Sequence, residues 1–390
     1  MHRRLLAMAA AVQAGAYHIG APGSKWGPAQ LSQWRAERVK SRSYDDDVVK
    51  VLESLRDEYD IIEYGTLTYD GISHKLYAAK SKDWNNRPKV LVTGGVHGYE
   101  TSGVHGALRL LQTKCKDYAE RGLDILVAPC VSPWGYEHIQ RWNYDAVDPN
   151  RSFKRNDPEA CGSQEARALV NLVKEHGDGW ACHVDLHETT DTDESEFQPA
   201  KAARDGDTYV QGTIPDGFYL CGDEKNPRLE FQRAVIKGVS DVTHIAPADP
   251  DGTIIGSPVV CDGVILYDYT ALGLCGGVTD APLTTMGRRA RRLRFAGAAP
   301  LHGWVPDLSK FCYGLPGSLA PMGDFDPFNL SKESVGTVRR YREAEVMHGR
   351  VAMVAFVGFL FAEHNAHSVL DIEPSLTHDA LLLKTPGLLL

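Results

Sequence analysis

The stretch VLVTGGVHGYET, from Val90 to Thr101, decides the fold of this chain. Its apolar, β-branched first half ends in two glycines, and His97 and Glu100, three residues apart, follow at once. Residues 102–111 then have the apolar spacing of a helix. In an open α/β sheet, binding groups collect in the loops at the carboxyl ends of strands. The order of strand, tight turn, His-x-x-Glu and helix therefore predicts a metal site at the end of a buried strand.

The sequence around this stretch predicts an α/β domain that covers residues 44–285. Apolar runs at 124–130, 180–187 and 264–269 indicate further strands, and residues 164–174 carry apolar positions at helical intervals. Strands that alternate with helices favour a mixed, mostly parallel sheet flanked by helices.

The composition is that of a globular protein: 390 residues, 43% hydrophobic and 24% charged. A formal net charge of −9 gives no reason to expect nucleic acid as a partner. The eight cysteines form no C-x-x-C pair, so neither a zinc knuckle nor a thioredoxin-like motif is indicated. Free thiols are therefore expected.

A second apolar run ends in another candidate ligand. His183, Asp185 and His187 are spaced by two residues and so point to one face of a strand, and His187 is nearest the carboxyl end. Zinc in a hydrolase typically takes three protein ligands, such as two histidines and a carboxylate, and keeps a fourth position for water. His97, Glu100 and His187 supply that set and are the predicted zinc ligands.

The domain contains four short motifs, two of which hold the predicted ligands. They are VTGGVHGYET at 92–101, QRWN at 140–143, DPNR at 148–151 and DLHET at 185–189. In this combination, the domain from 44 to 285 resembles the zinc metallocarboxypeptidases of the M14 type. The resemblance implies that the three predicted ligands hold zinc.

The same resemblance implies roles for three further residues. Asn150 and Arg151 would hold the terminal carboxylate of a substrate, and Arg141 would polarise the scissile carbonyl. The chemistry agrees with these roles, because a planar guanidinium can grip a carboxylate through two hydrogen bonds. A cation beside the metal also stabilises the oxyanion that forms during hydrolysis.

The general base is missing from its expected place. If Glu100 is a ligand, another carboxylate must act as base, and the family places a glutamate after the last strand, in a Thr-Glu context. Here residues 274–285 read LCGGVTDAPLTT, and an arginine-rich run follows. Asp280 is the nearest substitute, with a side chain one methylene shorter. We therefore expect zinc binding with weak or absent turnover.

Two segments flank the predicted domain. Residues 1–43 form an N-terminal extension in which basic residues precede a short apolar run, as in a targeting segment or an amphipathic helix. Residues 286–312 begin with five arginines between Gly287 and Arg294. This acid-poor composition is typical of a solvated linker or, alternatively, of a transit peptide.

A separate pattern follows the linker: LPGS at 315–318, GDFDP at 323–327 and RYREAEVMHGRVAM at 340–353. With these motifs, residues 313–365 resemble a light-harvesting chlorophyll-binding protein of the fucoxanthin–chlorophyll type. The resemblance implies that Glu345 and His348 ligate the magnesium of two chlorophylls.

Residues 337–363 form the predicted helix of this segment. About 25 helical residues, at about 1.5 Å each, are long enough to cross a bilayer of about 30 Å. The family uses three membrane helices and this chain carries only the first, followed by a tail at 366–390. The segment predicts a chloroplast location, with the thylakoid membrane or antenna proteins as partners.

The sequence as a whole predicts a zinc-dependent hydrolase that removes the C-terminal amino acid from peptides. One alternative is deacylation of a small N-acyl amino acid, as in the related aspartoacylase-like enzymes. Another is a pigment-binding antenna protein with an inert N-terminal domain. Both family patterns break near Met286, which indicates either a gene fusion or a gene model that joins two neighbours.

Overall fold

A computed structural model describes residues 17–85 and 87–291, the turn at 310–314, and the single residues Asp326, Ser331 and Val338. The chain divides into two units, Met1–Arg294 and Phe295–Leu390. Nearly all of the described residues belong to the first unit, which contains the predicted metal site.

The first unit is built on an eight-stranded sheet with the strand order β1-β2-β4-β3-β5-β10-β6-β9. The β3–β4, β3–β5, β5–β10 and β6–β9 pairs are parallel, and the β1–β2, β2–β4 and β6–β10 pairs are antiparallel. Strands β7 and β8 form a separate antiparallel hairpin. The strands are β1 (Tyr59–Tyr69), β2 (Ile72–Ser81), β3 (Lys89–Gly94), β4 (Asp124–Ala128), β5 (Trp180–Thr190), β6 (Gly217–Asp223), β7 (Thr253–Ile254), β8 (Ser257–Pro258), β9 (Val264–Tyr267) and β10 (Leu283–Arg291).

Helices flank this sheet and connect its strands. They are α1 (Pro28–Ala36), α2 (Lys50–Ser54), α3 (Thr101–Leu110), α4 (Lys116–Glu120), α5 (Pro133–His138), α6 (Gln164–Glu175), α7 (Gln198–Asp205), α8 (Leu229–Ser240) and α9 (Tyr269–Leu272). A mixed, mostly parallel sheet flanked by helices is thus confirmed.

Both faces of the central strands are covered, which explains why β3 and β4 are apolar at nearly every position. Leu91 and Leu126 pack in the core cluster that contains the apolar face of α6. Their chain neighbours Val92 and Val127 point the other way and pack with the apolar face of α3. Burying one such side chain contributes about 1.5–3 kcal/mol, so this double layer fixes β3, and with it the turn that follows.

The structure corrects the predicted N-terminal extension. From Tyr17 onward, the residues assigned to it belong to the first unit, because Ile19 and Trp34 are fully buried against Trp134 and Trp142. The indole rings of Trp34 and Trp142 lie 5.7 Å apart. The aromatic residues are too irregularly spaced to produce a helical or strand period, so the sequence pattern did not reveal this packing.

The predicted linker at 286–312 also begins later than expected. Met286 is fully buried, and residues up to Arg291 form the second half of β10, which pairs with β5 on one side and β6 on the other. The density of arginines made this strand look solvated. Arg288 is nevertheless only 7% exposed.

The light-harvesting segment falls almost entirely outside the described residues. The predicted helix at 337–363, with Glu345 and His348, and the tail at 366–390 lie there, apart from Val338. Among the helices that the structure does describe, none combines the length and apolar composition needed to cross a membrane.

Candidate metal centre

The structure brings the three predicted ligands together. His97 lies in the turn after β3, Glu100 precedes the first residue of α3, and His187 lies on β5. One ligand atom from each lies within 4.8 Å of the others. The two oxygens of Glu100 face the two rings: Oε1 is 2.7 Å from His97 Nδ1, and Oε2 is 2.6 Å from His187 Nδ1. All three side chains are buried.

The turn after β3 depends on glycines with different roles. Gly95 has a φ of +59°, in the left-handed region where a side chain is strained. A Cβ at Gly98 would lie 1.9 Å from the backbone nitrogen of Tyr136, so no side chain fits there. Because β3 and β5 are parallel neighbours, with Gly94 opposite Leu186, the turn delivers His97 and Glu100 to the strand end that carries His187.

Two further carboxylates orient the histidine rings. Asp148 Oδ1 is 2.9 Å from His97 Nε2, and Asp185 Oδ2 is 2.7 Å from His187 Nε2. Each ring therefore presents Nδ1 to Glu100 while its outer nitrogen is held by a carboxylate, the usual arrangement around zinc-binding histidines. Two imidazole nitrogens and one carboxylate are also a donor set that zinc accepts. The described residues fit this ion.

The electrostatics of the cluster follow from burial and from these contacts. Burial raises the pKa of Glu100, but the charges of His187 and His97 outweigh it and hold that pKa well below its usual value. Burial lowers the pKa of His187, but Asp185 and Glu100 outweigh it and raise that pKa to about 9. The carboxylates of the cluster thus stabilise a positive charge on the imidazole rings between them.

Asn150 and Arg151 lie next to the ligands, on a short 3-10 turn, Pro149–Arg151, that Asp148 caps. Asn150 Nδ2 is 3.4 Å from His187 Nε2, and Asn150 Oδ1 accepts a hydrogen bond of 2.7 Å from the backbone nitrogen of Cys275. The Arg151 guanidinium donates to the carbonyl oxygen of Asn150, at 2.6 Å. These contacts place an amide and a guanidinium beside the metal cluster.

Arg141 lies between two carboxylates. Its Nε donates to Asp148 Oδ2 at 3.1 Å, and its Nη1 donates to Asp193 Oδ1 at 3.2 Å. Asp193 in turn accepts from the hydroxyl of Tyr99 at 2.7 Å. Asp148 therefore contacts both the Arg141 guanidinium and the ring of His97, and it holds the guanidinium close to the predicted ligands.

The structure does not place Asp280 where a general base would act. Its carboxylate accepts hydrogen bonds from the backbone nitrogens of Gly179, at 2.8 Å, and Trp180, at 3.1 Å, where β5 begins. His187 lies seven residues further along the strand, about 23 Å away at about 3.3 Å per residue. The prediction for Asp280 is therefore wrong, because this aspartate caps the opposite end of the strand.

The position beside His187 on β10 is occupied by Arg288. A guanidinium stays protonated and cannot accept a proton, so this position supplies no base. The sequence reasoning missed Arg288 because its strand was interpreted as a linker. It also gave no role to Asp148 and Asp185, although Asp185 shares a strand face with His187.

Comparison with solved structures gives distant matches. A Shewanella amazonensis protein assigned as a metallopeptidase is 19% identical, with 65% of this chain and 89% of that chain covered and a TM-score of 0.45. A metallo-carboxypeptidase from Burkholderia cenocepacia is 17% identical, with 63% and 60% covered and a TM-score of 0.41.

The C-terminal segment has closer sequence relatives. Chloroplastic light-harvesting complex stress-related protein 3.2 of Chlamydomonas reinhardtii is 41% identical over 87 residues, which are 22% of this chain and 33% of that protein. The chloroplastic fucoxanthin-chlorophyll a-c binding protein of Isochrysis galbana is 50% identical over 56 residues, 14% of this chain and 26% of that protein. The chain thus spans about a third or less of the length of these relatives.

Two family models match separate parts of the chain. The succinylglutamate desuccinylase/aspartoacylase catalytic domain matches residues 86–208, which include every predicted zinc ligand as well as Arg141, Asn150 and Arg151. The chlorophyll A-B binding protein family matches residues 311–385. Both resemblances are therefore confirmed: residues 86–208 are similar to an M14-like catalytic family, and residues 311–385 are similar to the chlorophyll A-B binding family.

Proposed function

We propose that the first unit is a zinc-dependent hydrolase that cleaves an amide bond next to a free carboxylate, and that it removes the C-terminal amino acid from peptides. The observation that carries this proposal is the buried cluster of His97, Glu100 and His187, with Asn150 and Arg151 beside it. The first three residues suit zinc, and the other two suit the carboxylate of a chain terminus.

A zinc ion at this cluster would supply Lewis acidity, which activates water and polarises a carbonyl group. The protein's own residues do the rest. Asn150 and Arg151 bind the terminal carboxylate and so orient the last amide bond of the substrate. Arg141, fixed by Asp148 and Asp193, directs positive charge toward the carbonyl oxygen, where negative charge develops in the transition state.

Turnover should be slow, because the carboxylates near the cluster are already engaged. Asp148 and Asp185 hold the outer nitrogens of the ligand rings. Asp193 accepts from Tyr99, Arg141 and the backbone of Thr190. A general base typically contributes about 10²–10⁴-fold to the rate, so we expect hydrolysis slower than that of a complete site by about this factor.

Deacylation of an N-acyl amino acid is the second candidate. The match of residues 86–208 to the succinylglutamate desuccinylase/aspartoacylase catalytic domain favours it. Both reactions cleave an amide bond adjacent to a free α-carboxylate, so Asn150 and Arg151 would serve either substrate. They differ in the group on the nitrogen side, which is a peptide in one case and a small acyl group in the other.

The test combines metal analysis with a substrate panel on the full chain. We expect one zinc per chain in the wild type and less than a tenth of that in the His187→Ala variant. Liquid chromatography would then follow release of the terminal residue from short peptides and of the amino acid from N-acetyl amino acids. Hydrolysis that persists unchanged in His187→Ala, or absence of zinc in the wild type, would contradict the proposal.

We also propose that the C-terminal segment directs the chain to the chloroplast and binds chlorophyll through Glu345 and His348, with thylakoid antenna proteins as partners. The match of residues 311–385 to chlorophyll-binding proteins favours this. Absorbance of the purified chain in the chlorophyll bands tests pigment binding. Intact-mass measurement of the native protein tests whether the residues on both sides of Met286 belong to one molecule.

A further inference from the structure

The loop at 141–148 carries two residues of the proposed site, one at each end. Arg141 donates to Asp148 through its Nε, and Asp148 also orients the ring of His97. Asn143 lies between these two residues and has no role in the proposed function. Its side chain is only 1% exposed, so its amide group must find its hydrogen-bond partners inside the protein.

The oxygen of this amide closes the loop from inside. Asn143 Oδ1 accepts hydrogen bonds of 3.0 Å from the backbone nitrogens of Asp145 and Val147. The backbone nitrogen of Asn143 donates to the carbonyl oxygen of Val147, also at 3.0 Å. Ala146 has a φ of +57°, in the left-handed region where a side chain is strained. The tight shape of the loop therefore depends on the oxygen of Asn143 facing the loop backbone.

A buried carboxyl group determines which way the amide points. Glu165 is the second residue of α6 and is 0% exposed. Its Oε2 accepts from Asn143 Nδ2 at 3.0 Å, and its Oε1 accepts from the hydroxyl of Tyr69 on β1. Asn143 Nδ2 also donates to that hydroxyl, at 3.2 Å. These acceptors hold the nitrogen of the amide, so the oxygen is turned toward the loop.

The position of Glu165 is unfavourable for an acidic side chain. Burial raises its pKa, and the hydrogen bonds from Tyr69 and Asn143 only partly offset this effect. An acidic residue in the first turn of a helix normally interacts with the helix dipole at the surface, whereas Glu165 is buried against the loop. Buried polar groups of this kind can be retained because they select one arrangement of the chain.

We propose that Glu165 is a positioning residue, which acts through Asn143 to fix the loop that carries Arg141 and Asp148. Asp148 then holds the ring of His97 in the orientation that a metal ion requires, and Arg141 is directed toward the carbonyl group of the substrate. The role of Arg141 in this inference rests on the proposed function. Glu165 itself contacts neither the metal ligands nor the substrate.

The test reverses the direction of the hydrogen bond between the two side chains. Asn143→Asp replaces the donating Nδ2 by an oxygen, so that two acceptors face each other without a hydrogen atom between them. Adding Glu165→Gln supplies the missing donor, because the new amide can donate to the new carboxylate. The other carboxylate oxygen still accepts from the loop backbone. The double variant has the same number of carboxylates and amides as the wild type.

The measurement is the zinc affinity of the full chain by competition with a chelator, with a thermal melt to show folding. Because Asp148 is displaced from His97, we expect Asn143→Asp to bind zinc about 10-fold more weakly and the double variant to return to within about threefold of the wild type. A folded Asn143→Asp protein with unchanged zinc affinity would overturn the proposal.

The double variant gives a result even if Asn143→Asp does not fold. A folded double variant with zinc affinity close to that of the wild type supports the proposal. A double variant that is unfolded, or that binds zinc as weakly as a folded single variant, contradicts it, because the restored hydrogen bond would then not be what the loop requires.

Gln164→Ala is the matched control. Gln164 precedes Glu165 on α6 and bonds to the backbone of Thr68 on β1, at 3.0 and 2.9 Å. Its loss weakens the contact between α6 and β1 without reaching the loop. The variant should melt at a lower temperature and keep the zinc affinity of the wild type. An equal loss of zinc affinity in Gln164→Ala would show that Glu165 acts only through the stability of α6.

Hydrolysis by the same variants separates this inference from the proposed function. With saturating zinc, Asn143→Asp should hydrolyse short peptides or N-acetyl amino acids about 10- to 100-fold more slowly, because Arg141 is misplaced. If the wild type cleaves no substrate but zinc affinity is lost and restored as expected, the hydrolase fails and the positioning role survives. If the wild type is active and Asn143→Asp matches it in rate and zinc affinity, the positioning role fails and the hydrolase survives.

Discussion

Asp185 is the residue whose substitution tests the metal centre most directly. Its Oδ2 is 2.7 Å from His187 Nε2, its Oδ1 accepts from the hydroxyl of Thr93 at 2.7 Å, and the side chain is fully buried. Asp185→Asn keeps the size of the side chain but removes the charge that orients the ring. Loss of such an outer carboxylate costs about 10- to 100-fold in metal affinity, which is about 1.4–2.7 kcal/mol.

The assay is competition with a chromogenic zinc chelator at fixed pH and ionic strength. A thermal melt of the metal-free protein shows whether the variant is folded. Asp178→Asn is the matched control, because Asp178 is exposed before β5 and contacts Arg155, not the cluster. A folded Asp185→Asn protein whose zinc affinity stays within about twofold of the wild type would refute this account of the metal centre, as would an equal loss in Asp178→Asn.

Three further predictions concern residues away from the ligands. Asp280→Ala should leave zinc affinity unchanged and lower the free energy of unfolding in urea by about 1–3 kcal/mol, since two backbone N–H groups lose their acceptor. A variant that loses hydrolysis but keeps its stability would instead indicate that Asp280 is catalytic. Burial raises the pKa of Glu137. Its hydrogen bonds, of which the one with His74 has the largest effect, outweigh burial and lower this pKa from 4.5 to about 2. A lowered carboxyl pKa stabilises the fold above pH 4.5, so the free energy of unfolding of the wild type should fall by about 3 kcal/mol as the pH drops from 4.5 to below 2. In the same urea assay, the free energy of unfolding of Glu137→Gln should depend less on pH. Trp34→Ala should destabilise the first unit by about 3–5 kcal/mol, whereas a freely detachable N-terminal extension would give no change in thermal unfolding.

The parts of the site that the sequence predicted are those encoded locally. His97 and Glu100 are three residues apart in one turn, and that turn follows an apolar strand, so their proximity does not depend on the rest of the fold. His187 required one non-local step, the assumption that two parallel strands lie side by side. The observed register of Gly94 with Leu186 shows why that step succeeded.

The parts that the sequence did not predict depend on contacts between distant segments. Asp148 reaches His97 across 51 positions, and Asp280 caps β5 from 100 positions away. Arg288 looked solvated because arginines are normally exposed. Its burial becomes evident only when β10 is seen to pair between β5 and β6.

The balance of charge gives an argument for a cation that is independent of any resemblance. Asp148 and Asp193 share the guanidinium of Arg141, and the charge of Arg151 also lowers the pKa of Asp148. These two carboxylates are therefore matched by two arginines, and they require no further positive charge.

Glu100 and Asp185 remain, and they are fully buried among histidines and a threonine. The charge of Arg288 acts on Glu100, so it offsets one of these two buried negative charges. The other would be strongly unfavourable by itself, and the imidazole rings can offset it only by taking up a proton. A divalent ion among His97, Glu100 and His187 supplies the positive charge that is missing and leaves the rings neutral, as ligands must be. The same count explains the need for Asp185: without it, the site would hold one negative charge fewer, and a divalent ion would be bound less tightly.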